Sequence, residues 1–158
     1  MKKDLCITEK DVKNGVYQGN TIDYHGNVSI GSDLGEIYFE SLRVYGFLSG
    51  CKGSGIKVNK NVWVGGSISI HKNMSIGGKI SVSKSVSVGE NISIGKIISI
   101  GGSMWIGGKV WVKDRIWVYK NITVEETITV EGSTEDKFNI TCKKLIRGKI
   151  IKGNLLEH

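Results

Sequence analysis

The chain has 158 residues and a formal net charge of +7, enough for one domain with a substantial core. It carries 22 glycines, no proline, abundant valine and isoleucine and little leucine or alanine. Because β-branched residues suit pleated surfaces and alanine and leucine suit helices, this composition excludes a helical class and predicts an all-β protein. The opening MKKDLCITEKD has lysines with no apolar stretch behind them, so no signal peptide is predicted and the expected location is the cytoplasm. No run of about 18 apolar residues is present, so no transmembrane helix is predicted. Cys6, Cys51 and Cys142 are odd in number and widely spaced, which predicts neither a disulfide framework nor a metal site.

In chain order, residues 1–21 show no repeat and read as an irregular N-terminal cap. Residues 22–58 hold imperfect rungs at Ile22/Tyr24, Val28/Ile30, Leu42/Val44 and Ile56/Val58, with an irregular insert where LGEIYFESLRVYGFLSGCKGSG (34–55) breaks the register. Residues 59–132 are regular. From Val62-Trp63-Val64 to Ile128-Thr129-Val130, twelve units of aliphatic-x-aliphatic recur every six residues without a slip. Each unit is a short strand with its outer positions facing one side and its middle residue the other. The three residues between units are rich in Gly, Lys, Asn and Ser and must turn the chain. Glycine pairs such as Gly65-Gly66, Gly77-Gly78, Gly101-Gly102 and Gly107-Gly108 stand at these corners, where positive φ angles are expected.

Strands this short cannot stand alone, so the pattern predicts a single-stranded parallel β-solenoid in which each strand pairs with its equivalent one coil away. A coil of three units would take eighteen residues and a flattened coil of two would take twelve. Residues 133–155, with Phe138, Ile140, Leu145 and Ile150, read as a further rung or a C-terminal cap. The acidic stretch EETITVEGSTED (125–136) would oppose stacking on an acidic equivalent. The closing Leu-Glu-His (156–158) reads as a tag remnant.

Charge is uneven along this layout. Residues 51–124 carry 11 basic against 2 acidic side chains, residues 1–50 carry 5 against 7, and residues 125–158 carry 6 against 6. A basic central block favours an anionic polymer such as nucleic acid or an acidic glycan, or else keeps repetitive turns soluble.

The units Ile76-Gly77 with Ile80, Val88-Gly89 with Ile92, and Ile106-Gly107 with Val110 resemble the hexapeptide repeat of left-handed parallel β-helices. That resemblance implies triangular eighteen-residue coils. Enzymes built on this repeat are often trimeric acyltransferases that bind acyl-CoA between neighbouring solenoids. Asn61-Val62-Trp63-Val64-Gly65-Gly66 resembles a segment of their acetyltransferase branch, and their catalytic histidine would fall on His25 or His71. His25, beside Asp23 and Tyr24, precedes the regular block, and His71 occupies a corner where a solvated histidine is the ordinary reading. The two histidines stand in dissimilar units, which speaks against a zinc site, and no phosphate-binding or dinucleotide fingerprint is present. No cofactor is therefore expected.

The outward column is the more informative feature. It reads Trp63, six serines from 69 to 99, then Trp105, Trp111, Trp117, Thr123 and Thr129. The mixed column is unlike the flat threonine rows expected of ice binding. Trp105, Trp111 and Trp117 fall among Lys109, Lys113, Arg115, Tyr119 and Lys120, a basic aromatic zone suited to self-association or to stacking on bases or sugars. On an eighteen-residue coil the three indoles occupy three faces. On a twelve-residue coil two would share one face. GNVSIG (26–31) and RVYGFLSG (43–50) resemble the Val/Gly-rich rungs of bactofilins, polymer-forming β-helical proteins. That resemblance implies a non-catalytic scaffold whose main partner is itself.

Overall fold

A computed structural model describes residues 4–142 and 144–157, with side chains described for residues 4–132. The chain is a parallel β-solenoid of three faces. Strands Leu5–Ile7, Val28–Ile30, Leu48–Gly50, Ile68–Ile70, Val86–Val88, Met104–Ile106 and Ile122–Val124 stack on the first face. The second face stacks Val16–Tyr17, Gly35–Phe39, Ser54–Val58, Met74–Ile76, Ile92–Ile94 and Val110–Val112. The third stacks Thr21–Tyr24, Ser41–Val44, Val62–Val64, Ile80–Val82, Ile97–Ile100 and Arg115–Val118. The long strand Thr127–Cys142 then passes all three faces and pairs in parallel with Lys144–Glu157. The expected cap at 133–155 and tag remnant at 156–158 concern side chains outside the described residues.

The pairing decides between the two coil lengths. On the first face Ile68 pairs with Val86, Val86 with Met104 and Met104 with Ile122, so each coil takes eighteen residues. The earlier coils are longer: Leu5 pairs with Val28, Val28 with Leu48 and Leu48 with Ile68, steps of 23, 20 and 20. The stretch 34–55 contributes a strand to each face and absorbs its extra residues at the corners. Within the sequence's irregular N-terminal stretch, Leu5–Ile7 already joins the first face, followed by a 3-10 turn at Glu9–Asp11 and a small antiparallel hairpin of Val12–Lys13 with Val16–Tyr17.

The aliphatic outer positions of each unit form the core. From Val62 to Val130 all of them are essentially without solvent contact, each stacked on its counterpart one coil away. Burying one such side chain contributes about 1.5–3 kcal/mol, so every eighteen-residue coil adds six such contributions to one continuous column. The stack is the source of stability, because no single three-residue strand holds itself.

The corner glycines act differently from the expectation. Among the described residues, positive φ angles occur at Asn14, Gly15, Asn20, Asp33, Gly35 and Gly53, none beyond residue 53. The glycines of the regular block are required by close approach. A Cβ on Gly65 would stand 2.6 Å from the Tyr45 carbonyl oxygen, and one on Gly66 would stand 2.6 Å from that of Gly46. One on Gly95 or Gly107 would collide with the carbonyl of Gly77 or Gly89. Corner backbones lie this close because they hydrogen-bond from coil to coil, as in Gly66 N–H to Gly46 O (2.9 Å) and Gly108 N–H to Glu90 O (2.8 Å).

Corner side chains reinforce the same ladder. Asn91 donates through its backbone and side-chain amides to Asn73 Oδ1 (3.1 Å each), and Lys109 N–H donates to Asn91 Oδ1 (2.8 Å). Ser67, Ser85 and Ser103 form an equivalent series. In the longer coils the lone fully buried polar side chain among the described residues, Ser54, donates to Gly31 O (2.6 Å) and accepts from Leu34 N–H (3.1 Å).

Candidate functional site

Two exposed aromatic regions stand out, and the coil pairing assigns each its place. The first is the tryptophan coil. Trp105 projects from the first face, Trp111 from the second and Trp117 from the third, so the indoles form a girdle around one coil. Trp105 is paired between Ser87 and Thr123, and Trp111 between Ser93 and Thr129. Flanking side chains this small cannot cover an indole. Trp105 therefore keeps 42% of its surface exposed and Trp111 36%. Trp117 is half-buried, with its ring 6.4 Å from that of Tyr119.

Lys109, Lys113, Arg115 and Lys120 are all exposed on this coil and the corners beside it. Lys109 Nζ lies 3.8 Å from Glu126 Oε2, which offsets part of its charge. The expected basic aromatic zone thus wraps the solenoid instead of lining one cleft. Trp63 belongs elsewhere: it shares the third face with Trp117, separated by Ser81 and Ser99, or about 14 Å at the usual strand spacing.

The second region lies in the 20-residue coils. Trp63 sits edge-on to Tyr45, with ring centroids 5.1 Å apart, and Tyr45 stacks on His25 at 3.8 Å with an interplanar angle of 13°. His25 and Tyr45 are 20 residues apart, and Asp23, Arg43 and Trp63 repeat that interval as one outward column. Beside this column runs a second one of Thr21, Ser41 and Asn61, and a groove of about 340 Å³ lies between them over the backbone of Ile22 and Leu42. Lys60 borders the groove and its Nζ is 3.0 Å from Glu40 Oε1. Glu40 also accepts from Asn59 Nδ2 and from the Tyr38 hydroxyl, 3.1 Å each. The Lys60 ammonium, then the Asn59 amide, hold the Glu40 carboxyl below its ordinary range. Burial, with the Glu40 carboxylate beside it, pushes the Tyr38 phenol up.

His25 is exposed, with its ring against Tyr45 and outside the groove lining, and His71 is exposed at a corner. The structure brings neither histidine to the other. Among the described residues no three His, Cys, Asp or Glu side chains are placed to hold a metal, and no helix is long and apolar enough to cross a membrane. Cys6 and Cys51 are free and exposed.

The groove was not foreseen from the repeat, because a six-residue period hides it. Its signal is the interval of 20 that joins Asp23 and Arg43 to Trp63 in the first regular unit, and His25 to Tyr45. Comparison with protein-family models, with curated proteins and with solved structures finds no match to this chain.

Proposed function

We propose that this chain is a non-catalytic scaffold that associates with further copies of itself through the tryptophan coil. The observation that carries the reading is the exposure of Trp105 and Trp111, 42% and 36%, on adjacent faces of a coil whose neighbours offer only small hydroxyl residues. Exposed indoles on a rigid straight surface are costly in water and efficient in lateral contacts. Because the girdle points in three directions, contact can continue from one solenoid to the next and build bundles larger than a pair. The kinship suggested by the hexapeptide repeat and the resemblance to bactofilins fit such an assembly. So does a rod whose stacked strands resist bending.

Sedimentation and electron microscopy of untagged protein over a range of concentrations test this. The expected result is concentration-dependent assembly that Trp105→Ser and Trp111→Ser weaken together. A strict monomer at the highest concentration overturns it.

A second reading is supported by the exposed cations Lys113, Arg115 and Lys120 around the same indoles: the coil binds an anionic polymer. Titration with a single-stranded oligonucleotide tests that reading. Binding that weakens steeply with salt is expected, and salt-independent binding or none contradicts it.

A further inference from the structure

The geometry points to a second binding site on the third face, in the 20-residue coils, whose ligand is an uncharged linear saccharide. The groove runs along the solenoid axis across three successive strands, a span of about 10 Å at the strand spacing. A groove that crosses successive strands on an exposed face suits a chain lying along it. At one end stands the half-buried Trp63 indole, held edge-on by Tyr45, which is itself stacked on His25. An indole held in place by its neighbours is suited to pack against the C–H face of a sugar ring.

The walls supply complementary polar groups. Arg43 offers several N–H donors and Asp23 offers acceptors. Asn61, whose Oδ1 accepts from Lys79 N–H (2.8 Å), keeps its amide donors, and the Ser41 hydroxyl, which donates to Thr21 (3.4 Å), keeps acceptor capacity while the Thr21 hydroxyl can still donate. Asp23 and Arg43 are paired in register and both exposed, yet no ion pair within 4 Å joins them, so each has capacity for a ligand hydroxyl. Vicinal hydroxyls, each donor and acceptor at once, match such alternating walls.

Charge selects against a polyanion here. Arg43 stands beside Asp23, and Lys60 is held by Glu40, so cations and carboxylates balance at the groove. A phosphate backbone entering it would meet Asp23. The basic block of residues 51–124 reaches the groove only through Lys60, which Glu40 holds. The coils just above are featureless: Ser81 and Ser99 continue the same outward column and leave the face flat, so the groove ends at Trp63.

The test is isothermal titration calorimetry of the full chain against cellohexaose, maltohexaose, mannohexaose and chitohexaose, at up to millimolar concentration. At least one is expected to bind, unaffected by added salt, with affinity reduced about tenfold or more in Trp63→Ala. Arg43→Ala and Asp23→Asn, both at exposed positions, are expected to weaken it as well and guard against a folding defect in the first variant. Ser99→Ala, on the same face outside the groove, is expected to bind as the parent does. Absence of binding to all four sugars overturns the proposal. Binding that survives Trp63→Ala, Arg43→Ala and Asp23→Asn also overturns it, as does salt-sensitive binding of an oligonucleotide at this groove in place of a sugar.

Discussion

The coils before residue 59 and those after it solve the same problem by different means. The later coils close in eighteen residues with no positive φ among the described residues. Their corners are tight because glycines let one backbone rest directly on the next. The earlier coils take 19 to 23 residues, turn through left-handed residues such as Asn20, Asp33 and Gly53, and contain the buried Ser54 staple. Strict repetition yields a uniform rod, whereas the two extra residues between the third-face strands of the earlier coils accompany a groove and an aromatic stack. Uniformity serves stacking, and departure from it opens a groove.

Substitutions can break or sharpen that contrast. The largest effect is expected from Ile98→Ala, which removes a fully buried side chain from the column of the regular block and should cost about 2–5 kcal/mol of stability by urea unfolding. Gly95→Ala should follow at about 1–3 kcal/mol, because its Cβ would press on the Gly77 carbonyl and backbone cannot yield as a side chain does. Gly35→Ala, where φ is +70° and the surrounding space is open, should cost about 1–2 kcal/mol through backbone strain alone. If hydrogen exchange finds Gly95→Ala loosening its coils no more than Gly35→Ala does, the distinction between close approach and left-handed turning fails.

Ser54→Ala should cost about 2 kcal/mol by leaving Leu34 N–H and Gly31 O without this partner, with the loss confined to the earlier coils. Asn91→Ala interrupts a corner ladder that is open to water and should cost about 1 kcal/mol. The smallest effect concerns pH. The Glu40 carboxyl is held low by Lys60 and Asn59, so its contribution is present above the ordinary carboxylate range and fades as pH falls through the lowered folded value. Thermal melting of Glu40→Gln should lack that part of the acid dependence seen in the parent.

The repeat announced most of the rod. Alternation from Val62 to Val130 is explicit in the residues, and each aliphatic position named by it is buried. The girdle followed as soon as a coil length of eighteen was established, since Trp105, Trp111 and Trp117 are spaced by one face each. The groove was far less legible. Arg43 and Asp23 read as ordinary surface charges in the sequence, and Tyr45 lies in a stretch that breaks the six-residue register. Only pairing at an interval of 20 sets them beside Trp63 and His25. The same limit misassigned the corner glycines, whose need for space depends on a carbonyl eighteen to twenty residues away.

By itself, the sequence determined the strand, its inward and outward faces and the period of six, because these follow from neighbouring residues and the alternation of a pleated chain. The tertiary structure decided how many units close a coil, and with it which residues become neighbours across coils. That choice rests on backbone hydrogen bonding and on core packing summed over the whole stack, neither of which any single unit contains.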